Sequence, residues 1–153
     1  MPEATIRFRS RADVATLSRF LSDPTFVASN VPQVVAVERT GETTALWTVE
    51  VKLGPIARKS LYHGELLESS DAGVRFRAAG PEATIEGSVR FTSVPTGGTD
   101  VEFTLSMKGI GPLRSVVDAY LSKRVRSDAE KFAKSLDERV GGAPAETLPG
   151  PSV

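Results

Sequence analysis

Apolar side chains recur at every second position through most of this chain, and at helical spacing in a short window near its start and a long one near its end. Alternation implies a strand with one buried and one solvated face, whereas recurrence at i, i+3, i+4 implies a helix with an apolar stripe. Residues 4–9 alternate, with Ile6 and Phe8 on one face, and predict a first short strand. Ser10-Arg11-Ala12-Asp13 carries the Ser-x-x-acid pattern of a helix start, where side-chain oxygens satisfy free N–H groups of the first turn. Val14, Leu17, Phe20 and Leu21 follow at helical spacing. Asp23-Pro24 stops that helix, because the residue before proline is pushed out of the α region. Residues 25–29 predict a second short helix or turn.

From residue 33 the period is two. Strands are predicted at 33–39, 43–53, 58–69, 74–79, 83–94 and around 101–107. The turns between them are Thr40-Gly41-Glu42, Gly54-Pro55, Ser70-Asp71-Ala72-Gly73, Gly80-Pro81 and a Pro95 to Gly98 segment. Consecutive strands joined by short glycine-containing turns make an antiparallel meander. One face collects Ala45, Trp47, Val49, Val51 and Leu53, then Val74, Phe76 and Ala78, then Ile85, Gly87, Val89 and Phe91. The 58–69 segment admits two registers. One turns Tyr62, Gly64 and Leu66 inward; the other turns Leu61, His63, Glu65 and Leu67 inward, and a one-residue slip exchanges them.

Gly109-Ile110-Gly111-Pro112 leads into the final helix, with Gly111 at the cap and Pro112 at the first helical position, where its missing N–H costs nothing. Leu113, Val116, Val117, Tyr120, Leu121, Val125, Ala129, Phe132, Ala133 and Leu136 form one stripe, with Arg114, Asp118, Lys123, Arg126, Asp128 and Lys131 mostly off it. A single helix over 112–140 would run roughly 40 Å at 1.5 Å per residue. The fold class is therefore α+β: a curved antiparallel sheet of about six to seven strands, two short helices and one long C-terminal helix gripped by the sheet. Residues 1–140 are expected to form one domain, and the Gly- and Pro-rich stretch 141–153 a flexible tail.

The chain has 153 residues, enough to bury a core unaided. It has no cysteine, which excludes disulfides, thiolate metal sites and cysteine nucleophiles. Nineteen basic residues balance nineteen acidic ones, so the totals point to neither nucleic acid nor an anionic membrane. The N-terminal residues lack a signal-peptide pattern, and no stretch approaches the ~20 apolar residues of a membrane span. A cytoplasmic protein, with membrane contact at most peripheral, is the expectation.

The order of elements resembles the helix-grip fold of the START and Bet v 1-like (SRPBCC) superfamily. Within it, the chain is similar to the CoxG family of carbon monoxide dehydrogenase accessory proteins. The residues that carry the resemblance are Ser22-Asp23-Pro24, Asn30-Val31-Pro32, Glu38-Arg39-Thr40-Gly41, Val51-Lys52-Leu53-Gly54-Pro55-Ile56, Ile85-Glu86-Gly87-Ser88-Val89-Arg90-Phe91 and the long terminal helix. These are turn and packing signatures, and the superfamily hosts many functions. The resemblance implies an apolar cavity between sheet and helix, no cofactor, and association with carbon monoxide dehydrogenase maturation, membrane recruitment or quinone handling. Some members carry a C-terminal hydrophobic anchor, whereas the stretch after Val140 is polar here. The same resemblance, through Gly54-Pro55-Ile56, favours the register that turns Tyr62 inward and leaves His63 and Glu65 outside.

His63 is the only histidine. A metal site needs three or four converging ligands, and no His cluster offers them. No Gly-x-Ser-x-Gly elbow is present, and the Gly-Pro segments match neither phosphate-binding fingerprint. The candidate ligand-lining residues are Trp47, Val49, Tyr62, Phe76, Gly87, Phe91, Phe103, Met107, Val117, Tyr120 and Leu121. Such side chains also simply fill a core. Gly64, Ala78 and Gly87 remove volume from inward positions, which either opens a cavity or lets the sheet bend. Three functions compete: a non-enzymatic carrier of a quinone- or lipid-like molecule serving a redox enzyme of the carbon monoxide dehydrogenase type; a polyketide cyclase or dehydratase using Tyr62, Glu86, Arg58 or Tyr120; and an interaction module without ligand. Glu86, alternating with Ile85 and Gly87, is expected to face outward.

Overall fold

The computed structural model describes residues 2–53 and 55–141. Gly54 of the predicted Gly-Pro turn and the 142–153 stretch expected to be a flexible tail lie outside the described residues. In chain order the elements are β1 (Glu3–Ser10), α1 (Val14–Leu21), α2 (Pro24–Ser29), β2 (Val34–Arg39), β3 (Thr44–Leu53), β4 (Ile56–Ser70), β5 (Gly73–Ala79), β6 (Ala83–Ser93), β7 (Thr99–Gly109), α3 (Arg114–Ser122) and α4 (Val125–Leu136). A π-turn, Asp137–Gly141, follows α4.

The strands form one seven-stranded sheet in the order β1-β7-β6-β5-β4-β3-β2, antiparallel throughout. The meander runs from β2 to β7, and β1 adds to its far edge beside β7. Register irregularities fall between Val34 and Ala36 in β2 and between Leu66 and Glu68 in β4. Such bulges bend a strand and add twist, as a sheet wrapped around helices requires. The expected alternation is realised. Val74, Phe76, Ala78, Ile85, Gly87, Val89, Val101, Phe103 and Leu105 are buried, whereas Arg75, Arg77, Glu86 and Arg90 are exposed. Cross-strand ion pairs such as Arg7–Glu102 and Arg9–Asp100, both 2.8 Å, decorate the outer face, where solvent leaves each worth little.

The first helix is capped by Asp13, whose carboxylate accepts from the Thr16 N–H at 2.8 Å; Ser10 instead accepts from Ala12 N–H. Asp23 ends one helix and caps the next, accepting from the Thr25 N–H at 2.9 Å. Ser18 and Ser22 of α1 reach the β4–β5 turn, bonding Ser70 O and Ser69 Oγ.

The C-terminal helix differs from the expectation of one unbroken rod. It starts at Arg114, not Pro112, after Gly111 adopts a left-handed φ of 79° that glycine takes without steric cost. It then breaks at Lys123–Arg124, where the Lys123 and Arg124 N–H groups bond the carbonyls three residues back, at 3.3 and 3.0 Å. This tighter 3₁₀-like turn separates α3 from α4. Leu113, which precedes α3, and Val116, both placed on the inner stripe by spacing, are more than half exposed. Asp128, placed off the stripe, is fully buried. The π-turn is pinned to α2: Arg139 lies 4.3 Å over the Phe26 ring and donates to Ser29 Oγ at 2.6 Å, while Ser135 donates to buried Asn30 Oδ1 at 2.5 Å.

Candidate functional site

The inner face of the sheet and the buried sides of α3 and α4 enclose the interior. Trp47, Val49, Tyr62, Phe76, Gly87, Phe91, Phe103, Met107, Val117 and Leu121 are all buried on it, and Tyr120 is half-buried at its margin. Tyr62 and Leu66 point inward, with His63 and Glu65 exposed, which settles the β4 register in favour of the first alternative.

The interior has two unlike halves. Opposite α4 it is filled by rings: Trp47 lies 6.2 Å from Phe76, Phe76 5.9 Å from Phe132, and Phe132 stacks on Phe103 at 4.0 Å. The inward glycines belong to this packing. A Cβ on Gly64 would overlap the Trp47 indole, and one on Gly87 would overlap the Phe76 ring. The volume those glycines give up is taken by aromatic rings from neighbouring strands. Gly80 plays the same part beneath Tyr62.

Around α3, which packs on β7, the buried residues are not aromatic: Met107 of β7 with Val117 and Leu121 of α3 itself. Asp118 fastens α3 to the end of β7 by accepting from the Gly109 N–H at 2.6 Å. Gly109 is needed there, because a Cβ would sit 2.6 Å from the Arg114 carbonyl oxygen. Tyr120 accepts from the Lys52 N–H at 3.3 Å and so ties α3 to β3.

Polar groups are few inside. The Tyr62 hydroxyl donates to Glu82 at 3.2 Å. Burial, then the neighbouring Glu82 charge and this hydrogen bond, push the Tyr62 phenol well above its ordinary range. At the break between α3 and α4, the buried Gln33 amide donates to Asp128 Oδ2, and Arg124 Nη2 stands 4.0 Å from Asp128 Oδ1. Burial pushes the Asp128 carboxyl up, against the opposing pull of Gln33, Arg124 and Lys131. Neither Glu82 nor this cluster is among the residues proposed from the sequence. Spacing offered a signal for Asp128, which falls three residues after Val125 and four before Phe132.

Of the proposed catalytic candidates, Glu86 is exposed and lies 3.9 Å from Arg77, and Arg58 is exposed. Only Tyr62 and Tyr120 reach the interior. Among the described residues, no group of three or more His, Asp or Glu could hold a metal, and no helix is long and apolar enough to cross a membrane. An outer-face cleft of about 620 Å³ is bordered by Arg7, Arg9, Asp100 and Glu102, whose charges are paired with each other.

A conserved protein of Geobacillus kaustophilus superposes with a TM-score of 0.71 at 14% identity, covering 92% of this chain and 96% of that one. A START superfamily protein of Mycobacterium smegmatis gives 0.62 at 13% identity, covering 93% and 99%. The ZhuI aromatase/cyclase of Streptomyces sp. R1128 gives 0.56 at 13% identity, covering 90% and 94%. These likenesses establish the helix-grip fold. No curated protein matches the chain in sequence. The family match is to the wider group and does not single out the CoxG branch. Over residues 1–141 the sequence matches the family described as polyketide cyclase/dehydrase and lipid transport, and the chain belongs to it.

Proposed function

We propose that the protein binds and carries an apolar molecule, quinone- or lipid-like, between the sheet and α3, and does not transform it. The observation that carries this reading is the division of the interior at Lys123–Arg124. The α4 side is closed by stacked rings, whereas the α3 side presents Met107, Val117 and Leu121 with Tyr62 and Tyr120 at its margins. An apolar lining with a few polar tips is the usual form of a small-molecule site. The family description joins cyclase and dehydrase activity with lipid transport, and the second of these handles apolar molecules.

Cyclase or dehydratase chemistry has less support. The Tyr62 proton is committed to Glu82, and a phenol with a raised pKa makes a poor base near neutrality. The finer assignment, an accessory of a carbon monoxide dehydrogenase-type redox enzyme, rests on the sequence resemblance. Exposed Leu113 and Val116 on α3 offer an apolar contact for such a partner.

Trp47, the only tryptophan, reports on the site because it is buried on the inner face. Titration with a short-chain quinone, with oleic acid or with a long-chain alcohol is expected to change its emission saturably, for at least one of them, at one molecule per chain. Val117→Phe, which adds bulk on the buried face of α3, is expected to weaken that binding about tenfold or more. Emission that stays flat with all three ligands, or affinity unchanged by Val117→Phe, would place the carrier site elsewhere or remove it.

A further inference from the structure

Three polar atoms of neighbouring side chains at the α3–α4 break have no partner: Gln33 Oε1, Asp128 Oδ1 and Arg124 Nε. Asp128 is fully buried and Gln33 is 7% exposed, so neither can turn to bulk water. A buried polar atom without a partner forfeits its hydration, and native proteins rarely leave one so. Here three occur together, linked by the Gln33–Asp128 hydrogen bond and the 4.0 Å approach of Arg124 to Asp128. Arg124 is held in place partly by its stacking 5.4 Å over the Tyr120 ring.

The cluster borders the apolar interior. The Gln33 backbone carbonyl accepts from the Glu50 N–H at 2.9 Å, so Gln33 lies beside β3, where Val49 pairs with Val34 in register. Buried Leu121 lies three residues before Arg124, whose N–H bonds its carbonyl at 3.0 Å. We propose that Gln33, Arg124 and Asp128 bind a single hydroxyl group carried by an otherwise apolar ligand. The proposal rests on the carrier reading above and names the class of molecule carried.

The chemistry of the open atoms selects the group. A hydroxyl donates one hydrogen bond, to Gln33 Oε1 or Asp128 Oδ1, and accepts one, from Arg124 Nε–H. A ketone or quinone oxygen only accepts and leaves both acceptors bare. A carboxylate likewise only accepts and leaves both acceptors bare, and a hydrocarbon satisfies none of the three. A site built to bond a hydroxyl rejects the analogue without it, because its own polar groups are then left unpaired. The preferred ligand is thus an alcohol or phenol, the reduced member of a quinone–phenol pair included.

The test compares 2-naphthol with 2-methylnaphthalene, matched in shape, by equilibrium dialysis against the full chain at neutral pH. Naphthol is expected to bind about tenfold tighter or more. Asp128→Leu and Gln33→Leu are each expected to bring the ratio near one while 2-methylnaphthalene affinity changes less than about twofold. Gln33→Met, close in shape to glutamine, carries the comparison if Asp128→Leu does not fold. Equal affinity for both probes in the unaltered protein overturns the hydroxyl site and leaves the carrier reading standing. A preference that survives the substitutions also overturns it, and assigns the cluster to an internal water. Failure of both probes to bind overturns the site together with the carrier reading.

Discussion

Replacing Phe132 by alanine is expected to destabilise the protein by about 3–5 kcal/mol, the range for truncating a large buried aromatic. Phe132 is fully buried and sits between two rings, 4.0 Å from Phe103 and 5.9 Å from Phe76. Its removal loses the transfer free energy of the ring, leaves a cavity that strands β5 and β7 cannot easily close, and ends two stacking contacts worth about 0.5–1.5 kcal/mol each. Domains of this size have only about 5–15 kcal/mol to lose. Urea unfolding should show the midpoint falling by about 1–3 M at unchanged slope. A loss below about 1 kcal/mol would mean that the α4 half of the interior is not the close-packed half.

Gly87→Ala is expected to cost about 1–3 kcal/mol, large for the addition of one methyl group. The new Cβ would overlap the Phe76 ring, and that ring cannot withdraw without leaving its contacts with Trp47 and Phe132. Phe76→Leu should relieve the clash, so a double-mutant cycle should give a favourable coupling of about 0.5–3 kcal/mol. Additive effects, or a neutral Gly87→Ala, would show that the ring does not lie over the glycine. Gly87 is thereby an unsuitable position for a ligand-blocking substitution: a tryptophan there would disturb the core before it excluded any ligand.

The strands are legible in the sequence because side-chain alternation is a local property, and their order because glycine-containing turns join neighbours. The inward direction of Tyr62 is one of two alternatives until the pairing of Trp47 with Tyr62 places both on the inner face. The helix break is not legible. No glycine or proline stands at Lys123–Arg124, and the hydrogen-bond shift there accompanies the packing of Tyr120 against Arg124 and β3. The buried stripe nevertheless continues across it from Val117 and Leu121 to Val125, Ala129 and Phe132, while Val116, beside it on α3, stays exposed. Asp128 is misplaced for a different reason. An acidic residue is assigned to the solvated face by default, and its partner Gln33 lies 95 residues away. The inward glycines leave open both space for a ligand and curvature of the sheet, because a sequence shows what a position lacks and not which neighbour leans over it. Each error falls where a distant residue decides the outcome.

Native mass spectrometry of the freshly purified protein, followed by incubation with quinones, fatty acids and long-chain alcohols, tests the carrier claim most directly. The account predicts either a co-purifying apolar molecule recoverable unchanged by organic extraction, or one-to-one uptake of at least one added class, alcohols foremost. A protein that arrives empty and takes up none of them, or that returns a chemically altered ligand, would contradict it.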